Sequence, residues 1–298
     1  MLIYAIIVTY NGQHWVDFCL GSLRKSSVET IPIVIDNCST DDTLSYIRSQ
    51  YPEAILFPQD KNLGFGQANN VGLRYALSHN ADYVLLLNQD AAIAPTAIER
   101  MLAQSDGKSL LSPIHLNGNG KHIDHNFRQN TLLHNHIVID DLVTRGELAP
   151  YYKIGEVCAA CWLLPISIIQ QIGGFNPLFT QYGEDNNYYQ RLCFHHISTL
   201  LVPTAHVYHD RKIQGNIKAY RKHILYRQLL LNATNINLNM QQRARAQFAV
   251  LYRCYTYNLI HGEYVIGTYL FNVLCLLAKT KQIIHSRKIE KRTRRTWL

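Results

Sequence analysis

Two acidic residues stand side by side at Glu184 and Asp185, in the segment QYGEDNNYYQRL (181–192). They follow a glycine and precede an aromatic segment of helical spacing, which places them where a loop becomes a helix. An acid at such a transition, beside a crevice that holds a metal-bound diphosphate, can take a proton from an attacking hydroxyl group. A neighbouring carboxylate can raise the pKa of this base or orient it. The pair is therefore a candidate for general-base catalysis.

Two further acids follow short apolar segments. Asp90 ends YVLLLNQD, and the small Ala91 and Ala92 after it leave room for a hard cation that also holds phosphate oxygens. Asp36 ends PIVID, where it can accept hydrogen bonds from a ribose hydroxyl or from the N–H of a base. Both acids have a common alternative role, which is to cap a turn or the following helix.

Histidines follow a later apolar segment, in VPTAHVYHD. An imidazole of His206 or His209 can complete a metal site with Asp90. A structural role is the alternative, because the chain contains 14 histidines.

Other motifs exclude several classes of site. The glycines of NLGFGQANNVG (62–72) can let the backbone approach a diphosphate, but Asn69 stands where a dinucleotide fingerprint needs a glycine or alanine. Gly-Lys-Ser occurs at 107–109, but Leu102 stands where a phosphate-binding loop needs its first glycine, so this class is excluded. The CAAC pair at Cys158 and Cys161 has no partner pair at zinc-finger spacing, so buried small residues are the better interpretation.

The elements that would position these residues alternate between strand and helix. Short β-branched and aliphatic segments predict buried parallel strands at 2–9, 32–36 and 83–88, and helical spacing appears at 14–25, 41–50 and 66–79. This order predicts an open α/β sheet, in which ligands bind beyond the carboxyl ends of the strands. Residues 107–150 are irregular and predict loops or edge hairpins over that crevice.

The C-terminal third has a different composition. Residues 216–262 return to helical spacing, and 264–278 are apolar but shorter than the roughly 20 residues of a membrane span. Residues 279–298 carry a net charge of +7, which leaves about +1 for the rest of the chain. An apolar helix before a basic tail indicates attachment to an anionic leaflet. A core-packing helix followed by a solvated tail is the alternative.

Composition fits a globular protein of one large domain with an appendage, since 47% of the 298 residues are hydrophobic and 17% are charged. The opening segment MLIYAIIVTYNG lacks the basic flank and cleavage site of a signal peptide. Seven cysteines without regular spacing fit a reducing compartment. We therefore expect a cytoplasmic protein, peripheral on the inner face of the plasma membrane.

Taken in chain order, six segments resemble the family 2 glycosyltransferases, inverting enzymes of the GT-A fold that build bacterial surface polysaccharides. The segments, within residues 3–210, are VTYN, DNCSTDDT, NLGFGQANNVG, LLNQDA, GGFNPLFTQYGED and VYHD. The resemblance implies a Rossmann-like, mostly parallel α/β sheet flanked by helices, with a C-terminal helical extension. We predict a catalytic domain at 1–215 and a helical region at 216–298.

The resemblance also implies roles for individual residues. Asp185 matches the catalytic base, beside Glu184, and Asp90 and His209 match the metal ligands. The nucleotide-sugar positions are Thr9, Tyr10, Asn11, Asp36, Asn69 and Asn88. The implied cofactor is Mn²⁺ or Mg²⁺, the donor a UDP- or dTDP-sugar, and the acceptor a glycan or a polyprenyl-linked glycan.

Three positions depart from the family pattern. Asn88 replaces the first acid of the metal motif, which lowers the negative charge of the site. Asn187 stands where relatives often have a second aspartate, and Asn176 and Pro177 stand where acids are usual.

Two alternative functions follow from other features. Asn88 motivates a catalytically weak nucleotide-sugar binding protein that docks on an assembly complex. Nucleic-acid binding through the basic tail is disfavoured, because Trp297 is the only aromatic residue of that tail and single-strand binders interleave aromatic and basic residues.

Overall fold

The first half of the central sheet is parallel. The computed structural model describes residues 1–180, 182–211, 217–261 and 266–298. Strands β1 (Ile3–Thr9), β2 (Ile31–Asp36), β3 (Ile55–Pro58) and β4 (Tyr83–Leu87) lie in the order β3-β2-β1-β4. Helices α1 (Val16–Arg24), α2 (Thr43–Gln50) and α3 (Gly64–Ser78) connect them. The predicted strands and helices of this half are confirmed, and β3 is an addition.

The second half of the sheet mixes parallel and antiparallel pairs. It contains β5 (Ala91–Ile93), β6 (Leu110–Asn117), β7 (Tyr152–Ile154), β8 (Cys161–Pro165) and β9 (Thr199–His209). From β4 the order continues β8-β6-β9-β5, and β7 pairs with the other end of β9. Only β6 and β9 are parallel in this half. The predicted α/β class is confirmed.

The expectation of loops or edge hairpins at 107–150 was wrong for its first part. Strand β6 lies inside the sheet, between β8 and β9. Its apolar pattern is interrupted by Ser112 and His115, which are both fully buried and contact each other at 3.4 Å. Helices α5 (His125–Asn130) and α6 (His136–Arg145) follow it. Because these buried polar residues interrupt the apolar pattern, the sequence did not indicate this interior strand.

Apolar side chains cover both faces of the sheet. Helices α1 and α4 (Ala97–Ala103) pack on one face. On the other face lie α3, α7 (Ile166–Ile172) and α8 (Glu184–Phe194). There Trp162 of β8 and Tyr188 of α8 both pack against Phe175, with ring centroids 6.2 and 5.0 Å away. This aromatic cluster fixes α8, the helix that begins with Glu184 and Asp185, on the sheet.

Four helices form the C-terminal region: α9 (Ile217–Thr234), α10 (Met240–His261), α11 (Ile266–Ala278) and α12 (Thr280–Glu290). The predicted helical character is confirmed in these ranges. Across the described parts of the chain, no helix is both long enough and apolar enough to cross a membrane. The predicted boundary between 215 and 216 falls outside the described residues, and the division into two domains stays a prediction.

The basic tail is folded against the rest of the chain. Helix α12 buries one face, which carries Ile283, Ser286, Ile289 and Glu290, and leaves most of its basic side chains exposed. Beyond it, the carbonyl of Thr296 accepts a hydrogen bond of 2.9 Å from the amide of Gly174. Gly173 has a φ of +79°, and a Cβ there would collide with the backbone of Thr296. The tail is therefore part of the fold, whereas the alternative of a solvated tail is wrong.

A buried polar network joins this tail to α8. Arg191, in α8, is 0% exposed and donates to the carbonyls of Gly174 and Ile172. Its Nε lies 3.9 Å from the carboxylate of Glu290, which also accepts a 2.8 Å hydrogen bond from Asn176. An acid at 176, which the family resemblance leads one to expect, would face Glu290 with like charge. The amide of Asn176 instead donates to it.

We predict that Glu290→Ala destabilises the fold. The change leaves the guanidinium of Arg191 buried without its counter-charge, and such losses cost about 3–5 kcal/mol of unfolding free energy. Urea unfolding measures this difference. Lys288→Ala, at an exposed position of the same helix, is the matched control and should stay within about 0.5 kcal/mol of wild type. A loss below about 1 kcal/mol for Glu290→Ala would contradict the proposed importance of the network.

Candidate functional site

A cleft of about 710 Å³ opens at the carboxyl ends of β1, β2 and β4. Parallel strands bring these ends to one edge of the sheet, as the sequence predicted. The lining includes Tyr10, Asn37, Asn88, Asp90 and Glu184. Residues 88–90, which follow β4, and Glu184, in the first turn of α8, therefore line one cleft, although they are far apart in the sequence.

The ends of β1 and β2 are joined by Thr9 and Asp36. The hydroxyl of Thr9 donates to Oδ1 of Asp36 at 3.1 Å, and the backbone amide of Ser39 donates to Oδ2 at 3.0 Å. Both side chains are 3% exposed. Asn11, just after β1, adds a further link to the segment after β2, because its Oδ1 accepts a hydrogen bond of 2.8 Å from the backbone amide of Thr40. The four predicted nucleoside residues, Tyr10 included, lie together at the end of β1 and β2.

Gln89 links this part of the cleft to the metal-motif segment. Its Oε1 accepts a hydrogen bond from the amide of Tyr10 at 2.9 Å, and its Nε2 donates to the Tyr10 carbonyl at 3.3 Å. Gly12 fits against the same amide group, which a Cβ at that position would displace. Gln89 therefore holds the ends of β1 and β4 in register.

The first turn of α3 also borders the cleft. Gly64 has a φ of +76°, and a Cβ would collide with the carbonyl of Thr180. Oδ1 of Asn37 accepts a hydrogen bond of 2.8 Å from the backbone amide of Leu63, which fixes this turn against the end of β2. Asn69 lies further along α3, where it is buried and donates to the carbonyl of Phe65 at 2.9 Å. Phe65 and Gln67 line the cleft from this helix.

Asp90 and His209 meet because β5 pairs with β9, with Ala91 opposite His209. The Nε2 of His209 lies 3.1 Å from Oδ1 of Asp90. Burial acts to raise the pKa of Asp90, but the hydrogen bond from His209 and the nearby positive charge of Arg211 outweigh it and hold the pKa below its usual value. Asp90 is therefore ionised at neutral pH. His206 is three residues from His209 in β9 and so lies on the opposite face of the strand.

The tautomer of His209 follows from its second neighbour. Nη2 of Arg211 lies 3.2 Å from Nδ1 of His209, and a guanidinium only donates. Nδ1 therefore accepts, and the ring proton sits on Nε2, where it points at Asp90. Arg211 is itself held by Asp124, whose carboxylate oxygen lies 3.5 Å from its Nε.

The residues around Asp90 fit a divalent cation. A carboxylate, an imidazole and an amide oxygen form a nitrogen and oxygen donor set that suits Mn²⁺ or Mg²⁺. The amide oxygen belongs to Asn88, whose Oδ1 is buried without a hydrogen-bond partner. Coordination by Nε2 of His209 would require its proton to move to Nδ1 and Arg211 to turn away. Within the described ranges, no cluster of three His, Cys, Asp or Glu residues could hold a metal, so substrate oxygens and water would have to supply the remaining ligands.

The two adjacent acids begin α8, and of the two Glu184 lines the cleft. Glu184 is 7% exposed, and its Oε2 is buried without a hydrogen-bond partner. Burial, reinforced by the charge of Asp185, raises the Glu184 pKa to about 7. Burial also raises the pKa of Asp185, and the amide of Asn186, at 2.9 Å from Oδ1, partly opposes this. Asn187 follows in α8 and is buried.

A third acid belongs to this group and was missed in the sequence. Glu156, between β7 and β8, has its pKa raised to about 7 by burial and by the charge of Asp185. No local pattern around Glu156 indicates this proximity. Cys158, in the same loop, has its Sγ 3.6 Å from Nδ1 of the buried His115. Cys158 and Cys161 are free thiols, as the interpretation of CAAC as small residues expected.

Comparison with known proteins gives a consistent family assignment. The chain is 24% identical over 230 residues to the N-acetylglucosaminyl-diphospho-decaprenol L-rhamnosyltransferase of Mycobacterium tuberculosis, a match that covers 69% of this chain and 75% of the relative. It is 26% identical over 123 residues to the dTDP-rhamnosyl transferase RfbF of Shigella flexneri, which covers 40% of each chain.

Solved structures share the fold. The mannosyltransferase PcManGT of Pyrobaculum calidifontis, in complex with GDP-Man and Mn²⁺, matches with a TM-score of 0.59 and 14% identity, covering 97% of this chain and 83% of that one. TarS 1–349 of S. aureus, in complex with UDP, matches with a TM-score of 0.57 and 17% identity, covering 98% and 90%. The GT-A fold expected from the resemblance is confirmed.

The family model described as "Glycosyl transferase family 2" matches residues 4–173, which is more than half of the chain and includes the ends of β1, β2 and β4. The chain belongs to glycosyl transferase family 2.

Proposed function

We propose that this glycosyltransferase inverts the anomeric centre of a sugar as it moves that sugar from a nucleotide-diphosphate donor to a hydroxyl group of an acceptor. The observation that carries the proposal is that Asp90, a candidate metal ligand, and Glu184, the neighbour of the candidate base, line one cleft. Thr9, Tyr10, Asn11 and Asp36 would hold the nucleoside at one end.

In this proposal Asp185 is the general base. The acceptor oxygen forms a bond to the anomeric carbon while the bond from that carbon to the phosphate oxygen breaks, and the electron pair leaves with the nucleoside diphosphate. The proton of the acceptor hydroxyl moves to a carboxylate oxygen of Asp185. Burial supports this role, because it raises the pKa of Asp185 and makes its carboxylate a stronger base.

A divalent cation, held by Asp90 and His209, would neutralise the leaving diphosphate when bound. Mn²⁺ in the GT-A neighbour that was solved with GDP-Man supports this cofactor. Asn88 would contribute an uncharged oxygen in place of the usual acid, so we expect the cation to bind weakly until diphosphate oxygens complete its shell.

The relatives support a deoxyhexose donor and a lipid-linked acceptor. Two of them are named as rhamnosyltransferases, one for dTDP-rhamnose and one for a diphospho-decaprenol acceptor. We propose a dTDP-sugar as the donor, with a UDP-sugar as the alternative, and a polyprenyl-linked glycan as the acceptor in surface polysaccharide synthesis. A catalytically weak binding protein remains the second candidate because of Asn88, and it predicts nucleotide binding without turnover.

We propose that α11 and α12 attach the enzyme to an anionic membrane. Phe271, Leu274 and Leu277 of α11 and Ile284 of α12 are each about 60% exposed. Phe271, Leu274 and Leu277 are three residues apart and therefore lie on one side of α11. In α12 the exposed Lys281 and Lys288 stand three residues before and four residues after Ile284, on the same side of the helix. Apolar side chains bordered by lysines suit the interface of an anionic leaflet, where polyprenyl-linked acceptors reside.

Asp185→Asn should abolish sugar transfer and leave donor binding intact. An amide cannot accept the proton, and a general base contributes roughly 10²- to 10⁴-fold to the rate. Release of nucleoside diphosphate measures turnover, and calorimetry measures donor affinity. Asp140→Asn, the same chemical change at an exposed position of α6, is the control. Turnover within about threefold of wild type would remove Asp185 as the base.

Asp90→Asn should weaken the binding of Mn²⁺ in the presence of nucleoside diphosphate. Losing one of the few protein ligands should cost on the order of 10- to 100-fold in metal affinity, by analogy with losses at supporting positions of metal sites. Calorimetric titration of Mn²⁺ gives this affinity without a need for turnover, and Asp140→Asn should bind as wild type does. Equal affinity in wild type and Asp90→Asn would reject Asp90 as a ligand.

Leu274→Gln should lower the affinity for vesicles that contain phosphatidylglycerol. Burial of a leucine side chain contributes about 1.5–3 kcal/mol, so the partition coefficient should fall roughly tenfold or more. Leu142→Gln, at an exposed position of α6, is the control. Binding that is unaffected by Leu274→Gln, or equal on neutral phosphatidylcholine vesicles, would reject this surface as a site for anionic lipid.

A further inference from the structure

Two carboxyl groups, those of Glu184 and Glu156, lie near the proposed base. Among the described residues, the groups that interact electrostatically with Asp185 are Glu184 on its own helix, Glu156 and Cys158 on the loop between β7 and β8, and Arg227 on α9. Burial raises the pKa of the Cys158 thiol to about 12, so this group is neutral. Arg227 is therefore the cation in this set, and it comes from outside the sheet.

Arg227 reaches the acids by crossing Gly183, the residue before α8. A Cβ at Gly183 would meet Cγ of Arg227 at 2.9 Å and its Cδ at 3.2 Å. Gly183 also has a φ of +97°, a conformation that glycine adopts without strain. The absence of a side chain at 183 thus lets the arginine stem lie directly over the start of the helix that carries Glu184 and Asp185.

The guanidinium of Arg227 is not fully hydrogen-bonded within the described residues. Its Nε is buried and has no hydrogen-bond partner, and Oε2 of Glu184 is buried without one as well. Two unpaired polar atoms on groups of opposite charge, one of them on Glu184 in the lining of the cleft, cost free energy in the free enzyme. Such atoms are typical of a site whose polar partners arrive with the substrate.

We propose that Arg227 is a positioning residue for catalysis: it keeps the carboxylate of Asp185 charged among its neighbouring acids, so that the C-terminal helices complete the active site. The proposal rests on the proposed function, in which Asp185 is the base. It gives α9 a role beyond packing.

The electrostatic reason is a balance of two opposing effects. Burial raises the pKa values of Asp185, Glu184 and Glu156, and the charge of Arg227 lowers all three. A raised pKa strengthens the base, but a carboxyl group that stays protonated at working pH cannot accept a proton. Removing the cation would leave the acids to repel one another, and the titration of Asp185 would move to higher pH.

The experiment is a titration of Asp185 by ¹³C NMR in full-length protein labelled at aspartate carboxyl carbons, with the signal assigned by its loss in Asp185→Asn. In Arg227→Gln the midpoint should rise by on the order of one pH unit, and Arg227→Lys should restore it. Glu156→Gln should move the midpoint in the opposite direction, which a folding defect would not do. Arg253→Gln, an equal loss of charge at an exposed position of α10, should change nothing.

The pH dependence of turnover separates this proposal from the proposed function. If Asp185 is the base, the acidic limb of the profile should move with the NMR midpoint in Arg227→Gln, and activity should recover at high pH. An unchanged NMR midpoint in Arg227→Gln overturns the role of Arg227. A midpoint that moves while the profile stays in place supports the effect of Arg227 on Asp185 but overturns Asp185 as the base.

Discussion

The buried guanidinium of Arg191 is the interaction that connects α8, the helix of the proposed base, to the rest of the molecule. It lies in the middle of α8, donates to the loop after α7, and faces Glu290 of α12. A guanidinium so far from water is stable only with counter-charge and acceptors around it. The start of α8, where Glu184 and Asp185 stand, is therefore held by contacts formed near the C-terminus of the chain.

This arrangement gives the C-terminal helices two contacts with the catalytic helix. Glu290 anchors the middle of α8 through Arg191, while Arg227 of α9 crosses its first turn at Gly183. The cleft itself is formed by the parallel half of the sheet, whose strand ends are joined by Thr9, Asp36 and Gln89. The sheet thus forms the donor side of the site, and α8 with its C-terminal contacts forms the side that we assign to the acceptor.

Local patterns in the sequence predicted the parallel half of the fold, because β1, β2 and β4 are uninterrupted aliphatic segments. They did not predict β6, whose buried Ser112 and His115 break the pattern, or β5, which is only three residues long. The docked tail was missed because its basic residues dominate the composition. Ile283, Ser286 and Ile289 recur at intervals of three, however, and this spacing was a usable signal for a buried helix face.

The predicted site residues came mainly from the family resemblance, and the structure brings several of them into contact through long-range pairing. His209 reaches Asp90 because β5 pairs with β9. Glu156 and Arg227 could not be found in this way, since each acts on a residue distant in sequence and lies in no recognisable motif. Gln89 lies inside LLNQDA, but its contact with Tyr10 forms only when the ends of β1 and β4 come together. Buried atoms without partners, such as Oδ1 of Asn88 and Oε2 of Glu184, become visible only once the chain is folded.

The stereochemistry of transfer tests the central claim most directly. Time-resolved ¹H NMR can follow the anomeric proton during turnover of the dTDP- or UDP-sugar that the enzyme accepts, before any released sugar has time to mutarotate. A single displacement, with a base on the acceptor hydroxyl, predicts that the first product has the anomeric configuration opposite to that of the donor. A first product with the donor's own configuration would contradict the mechanism and the role of Asp185 in it.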